Sequence, residues 1–225
     1  EDQGRNLTIK YEASMAWLPS VTELSRQAIF RGSAPSALYN PNPHTEQRLW
    51  MDFWKTKRIP FSSIYYQHSG ELTPYVNSTR VGYVNTDLDE MMHSARDYMY
   101  LYEDTIRWVK DSTIVPDILR LIAKGFKVYL TSDHGNVETT PYRAFTQADK
   151  AGAVCDRRYI TLSEYADASR FEQVYYGHAL KLFPSGRTYY AVDREIFSSQ
   201  SGVITHGGTH FLEVIIPFFT ISPNS

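Results

Sequence analysis

The sequence predicts an α/β fold built on a parallel sheet, and three observations carry that prediction. Short runs rich in β-branched and aromatic residues alternate with stretches of helical periodicity. A strand, a long helical crossover and a second strand follow one another between residues 81 and 131, which is the grammar of parallel pairing. The acid–histidine pairs of the chain fall just past two strand ends, where open parallel sheets gather their functional groups. At 225 residues with 42% hydrophobic content, residues 1–225 can bury a sizeable core and are expected to form one domain.

The chain begins Glu1-Asp2-Gln3-Gly4-Arg5-Asn6 without an initiating Met and enters almost at once on the apolar stretch Leu7–Tyr11. It is read as a fragment of a longer protein. Ser20-Val21-Thr22-Glu23 has capping-box spacing, with the Ser20 hydroxyl on a first-turn amide and Glu23 reaching back. The helix it starts carries Val21, Leu24, Ala28 and Ile29 and stops at Gly32. Pro35, Pro41 and Pro43 with Asn40 and Asn42 make residues 33–47 a surface loop, and Leu49–Trp54 a short aromatic helix. Ser62–Tyr66 and Val81–Asn85 are short buried strands around a polar loop. The stretch Ser94–Val109 is helical, and a second helical piece opens near Pro116 and stops at Gly125. Phe126–Thr131 is a strand. Residues 136–200 are less regular, with strands expected at Val174-Tyr175-Tyr176 and Thr188–Val192, and Val214–Ile221 forms a strong last strand.

Composition excludes several functions. With 23 basic against 25 acidic side chains the net charge is -2, so nothing pulls the chain from a distance toward nucleic acid or an anionic membrane. An anionic substrate must be held locally. Cys155 is the only cysteine, which rules out an intrachain disulfide and fits a reducing, cytoplasmic setting. The polar N-terminus lacks the plan of a signal peptide. Val214–Phe219, the longest apolar stretch, is broken by Pro217 and is too short to span a bilayer, so no membrane partner is expected.

The strongest single signal is Thr131-Ser132-Asp133-His134-Gly135: a carboxylate and an imidazole side by side at a strand end, with a glycine that permits a tight turn. Together they offer oxygen and nitrogen ligands suited to zinc or manganese, although taken alone the segment reads equally as a solvated turn. Asp89 and His93 are four apart and project from one helix face; alone, an exposed helix pair is the commoner reading, and Asp87 is an alternative ligand. His206 precedes Gly207-Gly208 and the last strand, with His210 ranked below it. Thr22 sits in a first helical turn, where free amides favour an anion and a hydroxyl beside a metal can become a nucleophile. Surface or packing roles are the default for His44, His68 and His178. Among the arginines, whose guanidinium matches phosphate oxygens, Arg26 is weaker than the Arg157-Arg158 pair, which lies between two metal-bearing segments.

A hydroxyl on a capped helix, a D-x-x-x-H, an Asp-His-Gly after a strand and a late His-Gly-Gly, in that order, resemble the alkaline phosphatase superfamily. More closely, Pro19–Arg26, Thr131–Gly135, Thr205–Gly208 and Glu213–Pro217 resemble the PglZ domain family, a match running from about residue 15 to the end. The resemblance implies a three-layer αβα sandwich with an alkaline phosphatase-like core and two divalent metals, usually zinc. It implies hydrolysis of phosphomonoesters or phosphodiesters through a phospho-threonine intermediate. By that analogy Asp89, His93 and His206 hold one metal, and Asp133 and His134 hold the second with the Thr22 hydroxyl. In this superfamily the second metal also takes an Asp from the first strand of the sheet. No strand with such an Asp precedes Thr22, and Asp2 is too near the terminus. The core is therefore expected to lack its first strand, and the second site to be incomplete.

PglZ-type domains occur in bacterial phage-defence systems and in signalling proteins fused to receiver domains, which implies the other domains of the parent and defence or signalling proteins as partners. One hypothesis is a phosphodiesterase acting on nucleic acid or a nucleotide; the other is a non-catalytic interaction module in an assembly. Thr22 and all five ligands favour the enzyme, while the charge balance speaks against tight DNA binding.

Overall fold

The chain opens on β1 (Leu7–Met15), a strand ahead of Thr22 whose only carboxylate, Glu12, accepts from Lys10 Nζ at 2.9 Å on the surface. A computed structural model describes residues 7–36, 42–74, 76–175, 181–199 and 203–224. Asp2 and His178, both weighed above, lie outside the described residues. Helix α1 (Thr22–Arg31) ends at Gly32, whose left-handed φ of 65° lets its amide close on Ala28 O. Helix α2 (Pro43–Thr56) begins where a loop was expected. Asn42 accepts from Thr45 N while the Thr45 hydroxyl reaches back, and Pro43 at the first helical position gives up only an amide that has no helical partner anyway.

Next come β2 (Ile64–His68), β3 (Arg80–Val84) and α3 (Asp87–Ser94). The helix expected from Ser94 starts later: Ala95 is extended, and Asp97 caps α4 (Tyr98–Asp111) by accepting from Tyr100 N. Then follow α5 (Ile114–Ala123), β4 (Val128–Thr131), β5 (Val137–Glu138), β6 (Thr140–Pro141), α6 (Gln147–Ala151), β7 (Ala153–Cys155) and β8 (Tyr159–Leu162). Val174 and Tyr175 close α7 (Ala168–Tyr175) instead of forming a strand, because Asp167 caps a run of helix formers by accepting from Ser169 N at 2.9 Å. The chain ends through β9 (Leu182–Ser185), β10 (Thr188–Ala191), β11 (Glu195–Ile196), β12 (Ile204–Thr205), α8 (Phe211–Val214) and β13 (Ile215–Pro223).

The architecture is mixed α/β with several sheets. β2 and β3 pair in parallel, as the sequence predicts for the segment before the crossover. Among the described residues β4 does not join them; it pairs antiparallel with β13, which pairs antiparallel with β1. The nine residues of β13 are long and apolar enough to hold both neighbours, with Phe219 against Tyr11 at 5.1 Å and Phe218 against Tyr129 at 5.9 Å between ring centroids. The stretch read as irregular holds a four-stranded antiparallel sheet, β7-β8-β10-β9. Ile160, Leu162, Phe171, Tyr189, Ala191 and Phe197 form its own buried cluster. Among the described residues no helix is long and apolar enough to cross a membrane.

Candidate functional site

Thr22 is the first helical residue of α1, and Val21, not Ser20, occupies the cap position in an extended conformation with no side-chain bond. The capping box is thus replaced by a tertiary role for Ser20. Thr22 Oγ1 lies 3.0 Å from His134 Nε2. His134 is buried just beyond β4, and its Nδ1 lies 3.0 Å from Gly135 O, a carbonyl that can only accept. The proton is therefore on Nδ1, leaving Nε2 to accept from the Thr22 hydroxyl. Asp133 Oδ1 accepts from His134 N at 3.1 Å, and its Oδ2 stands 3.8 Å from His134 Nε2. Beside it a cavity of about 290 Å³ opens between α1 and the β1-β13-β4 sheet, lined by Trp17, Ser25, Thr131 and Asp133 among others.

The turn that carries this pair is held from behind. Gly135 N donates to Glu213 O at 2.9 Å, and a Cβ at Gly135 would run into the Leu212 carbonyl oxygen. Gly135→Ala is accordingly expected to cost about 1–3 kcal/mol and to lower the denaturation midpoint, read by urea unfolding. An unchanged midpoint would show that the backbone there yields freely.

On the far side of His134, Asp89 and His93 stand one turn apart on α3, with Oδ2 and Nε2 3.7 Å apart and both side chains about half exposed. His206 follows β12 and brings a third group, so that one potential ligand atom from each of Asp89, His93 and His206 lies within 4.8 Å of the other two. The His206 Nδ1 donates to Ser20 O at 2.9 Å, which turns Nε2 toward the cluster. Burial first, then the neighbouring His134, pushes the His206 pKa down to about 4, so the ring is neutral and its lone pair is available. One carboxylate and two neutral imidazoles suit a zinc-like cation. The His206 ring stacks on His134 at 3.8 Å between centroids, which sets the three-residue cluster directly against the Thr22–His134 pair.

Other residues weighed from the sequence fall elsewhere. Asp87 accepts from Asn85 Nδ2 at 3.0 Å and from Trp108 Nε1 at 2.8 Å, which ties it to α4. His210 caps α8 by accepting from Leu212 N, His68 pairs with Ser69 Oγ at 3.1 Å, and His44 is exposed on α2. Arg26 is spent on Glu46 at 2.7 Å. Arg157 is exposed.

Arg158 requires correction as a phosphate ligand. It is completely buried, holds Glu213 through Nε at 3.1 Å and Nη2 at 2.7 Å, and donates to the carbonyls of Ala191, Asp193 and Glu195. No donor is left for a substrate. Sequence reading also missed Glu213, equally buried, which accepts from Gly208 N at 2.9 Å and His210 N at 3.1 Å. The only local trace of it is a glutamate three residues after His210, the spacing of a capping box with an unusual first residue.

A family model described as the BREX system PglZ alkaline phosphatase-like domain matches residues 2–221 of the chain. No curated protein matches it.

Proposed function

The chain belongs to the PglZ family of alkaline phosphatase-like domains, and from that premise we propose that it is the greater part of a metal-dependent phosphoric ester hydrolase with Thr22 as nucleophile. The observation that carries the reading is Thr22 Oγ1 at 3.0 Å from His134 Nε2, on a ring stacked against His206. Asp89, His93 and His206 would hold one divalent cation, and Asp133 and His134, with Thr22 beside them, a second. Bound there, such cations supply the Lewis acidity that makes a threonine alkoxide accessible near neutral pH and offsets charge on the phosphate.

The remaining chemistry belongs to the chain. Thr22 Oγ1 would form the new bond to phosphorus while the ester oxygen leaves and is protonated by water; a second water would then release phosphate from the threonine. The first-turn amides of α1, which have no helical partners, face the same region and favour the anionic oxygens. With Arg158 buried, the local positive potential that a net charge of -2 requires must come from the cation sites and these amides.

The reading places the described sheets within a three-layer sandwich whose first strand lies upstream and lends a carboxylate to Asp133 and His134. It is supported by β4, which among the described residues is paired on one side only. The substrate we favour is a phosphodiester of nucleic acid or nucleotide type, and the setting is that of the family description, a BREX system.

Metal analysis of the chain and phosphodiesterase assays of its full-length parent test this. We expect one tightly held divalent ion per chain, lost in His206→Ala, and hydrolysis of bis(4-nitrophenyl) phosphate by the parent that chelation abolishes and zinc restores. Hydrolysis indifferent to chelation, or a chain that retains no divalent ion, would overturn the proposal.

A further inference from the structure

Ser20 is wholly buried, and every polar group it offers beyond its amide is directed at one tripeptide. Its hydroxyl accepts from Gly207 N at 2.9 Å and donates to Gly208 O at 3.0 Å, while its carbonyl accepts from His206 Nδ1 at 2.9 Å. We propose that Ser20 is the positioning residue for His206: it locks the loop that carries the imidazole and ties it to the helix that carries Thr22. The proposal rests on the reading that Asp89, His93 and His206 hold a cation.

The loop has little freedom to find the same place by other means. Gly207 has a φ of +116°, and a Cβ on Gly208 would press to 2.6 Å from the Ala191 carbonyl, so two glycines let the backbone slide between its supports. Glu213 holds the far side through Gly208 N. Ser20 holds the near side, and it stands two residues before Thr22. The carbonyl bond sets which ring nitrogen carries the proton; the hydroxyl bonds set where the ring sits. Removing the hydroxyl strands a buried amide and a buried carbonyl together, and the cheapest relief is a shift of the His206 backbone away from Asp89 and His93.

The experiment is a Zn²⁺ and Co²⁺ titration of the chain by calorimetry, with the Co²⁺ ligand-field spectrum recorded alongside. Ser20→Ala and Ser20→Cys, the second close to serine in volume but a poor hydrogen-bonder, are each expected to weaken metal binding by about tenfold to a hundredfold, the range for loss of a group that orients a ligand. Leu162→Ala, in the separate core of the β7-β8-β10-β9 sheet, serves as a control that lowers stability without touching the loop. Wild-type affinity in either Ser20 variant overturns the proposal, and so does an equal loss in Leu162→Ala, which would make the effect one of general stability. Unaltered binding in His206→Ala would overturn the underlying cation reading instead, so the two failures are told apart.

Discussion

Thr22→Ala is expected to lower phosphodiester hydrolysis by the full-length parent by at least about three orders of magnitude, with the metal content unchanged. No neighbouring hydroxyl can take over. Ser20 Oγ is committed to Gly207 and Gly208, and Ser25, one turn further along α1, is buried. Thr22 Oγ1 alone meets His134 Nε2 at hydrogen-bond distance, and His134 in turn lies against His206. Thr22→Ser keeps the oxygen and loses only the methyl group that restricts its rotamer, so it is expected to recover most of the rate. Steady-state kinetics on bis(4-nitrophenyl) phosphate decide the matter: unchanged turnover in Thr22→Ala would remove threonine from the reaction and leave the chain as an interaction module of its assembly.

The second large effect is on stability. Arg158→Ala is expected to cost about 3–5 kcal/mol, the usual consequence of removing one partner from a buried ion pair. Arg158 and Glu213 are both completely buried, so the truncation leaves the Glu213 carboxylate without its counter-charge and three backbone carbonyls without a donor. Because Glu213 also holds Gly208 and His210, the damage reaches the loop of His206. Denaturant unfolding measures the loss directly. A side chain that served substrate phosphate would behave in the opposite way, with KM raised and the unfolding midpoint unmoved, and that outcome would restore Arg158 to substrate binding.

Local signals and long-range ones fared differently. Asp89 and His93 were placed on one helix face from a spacing of four, because a helix turns at a rate that depends only on its own backbone. The stop at Gly32 and the strand at the C-terminus followed from equally local chemistry, a left-handed φ and an apolar run. Val174-Tyr175 misled because β propensity is weak beside a good cap and a preceding run of helix formers. Ser20 misled for a related reason. Its sequence context matches a capping box, yet the hydroxyl finds two partners 187 and 188 residues away, which nothing in the adjacent sequence encodes.

By itself, then, the sequence determined the helical placement of Asp89, His93 and Thr22, the strand-end placement of Asp133 and His134, and, through the order of its motifs, the family. Tertiary structure alone decided that His206 joins Asp89 and His93, that β4 lies against β13, that Ser20 serves the His206 loop, and that Arg158 is a buried counter-ion. The division follows from range: backbone periodicity relates residues a few positions apart, whereas contacts across a hundred or more positions depend on how whole faces bury together, and burial is a property of the packed chain.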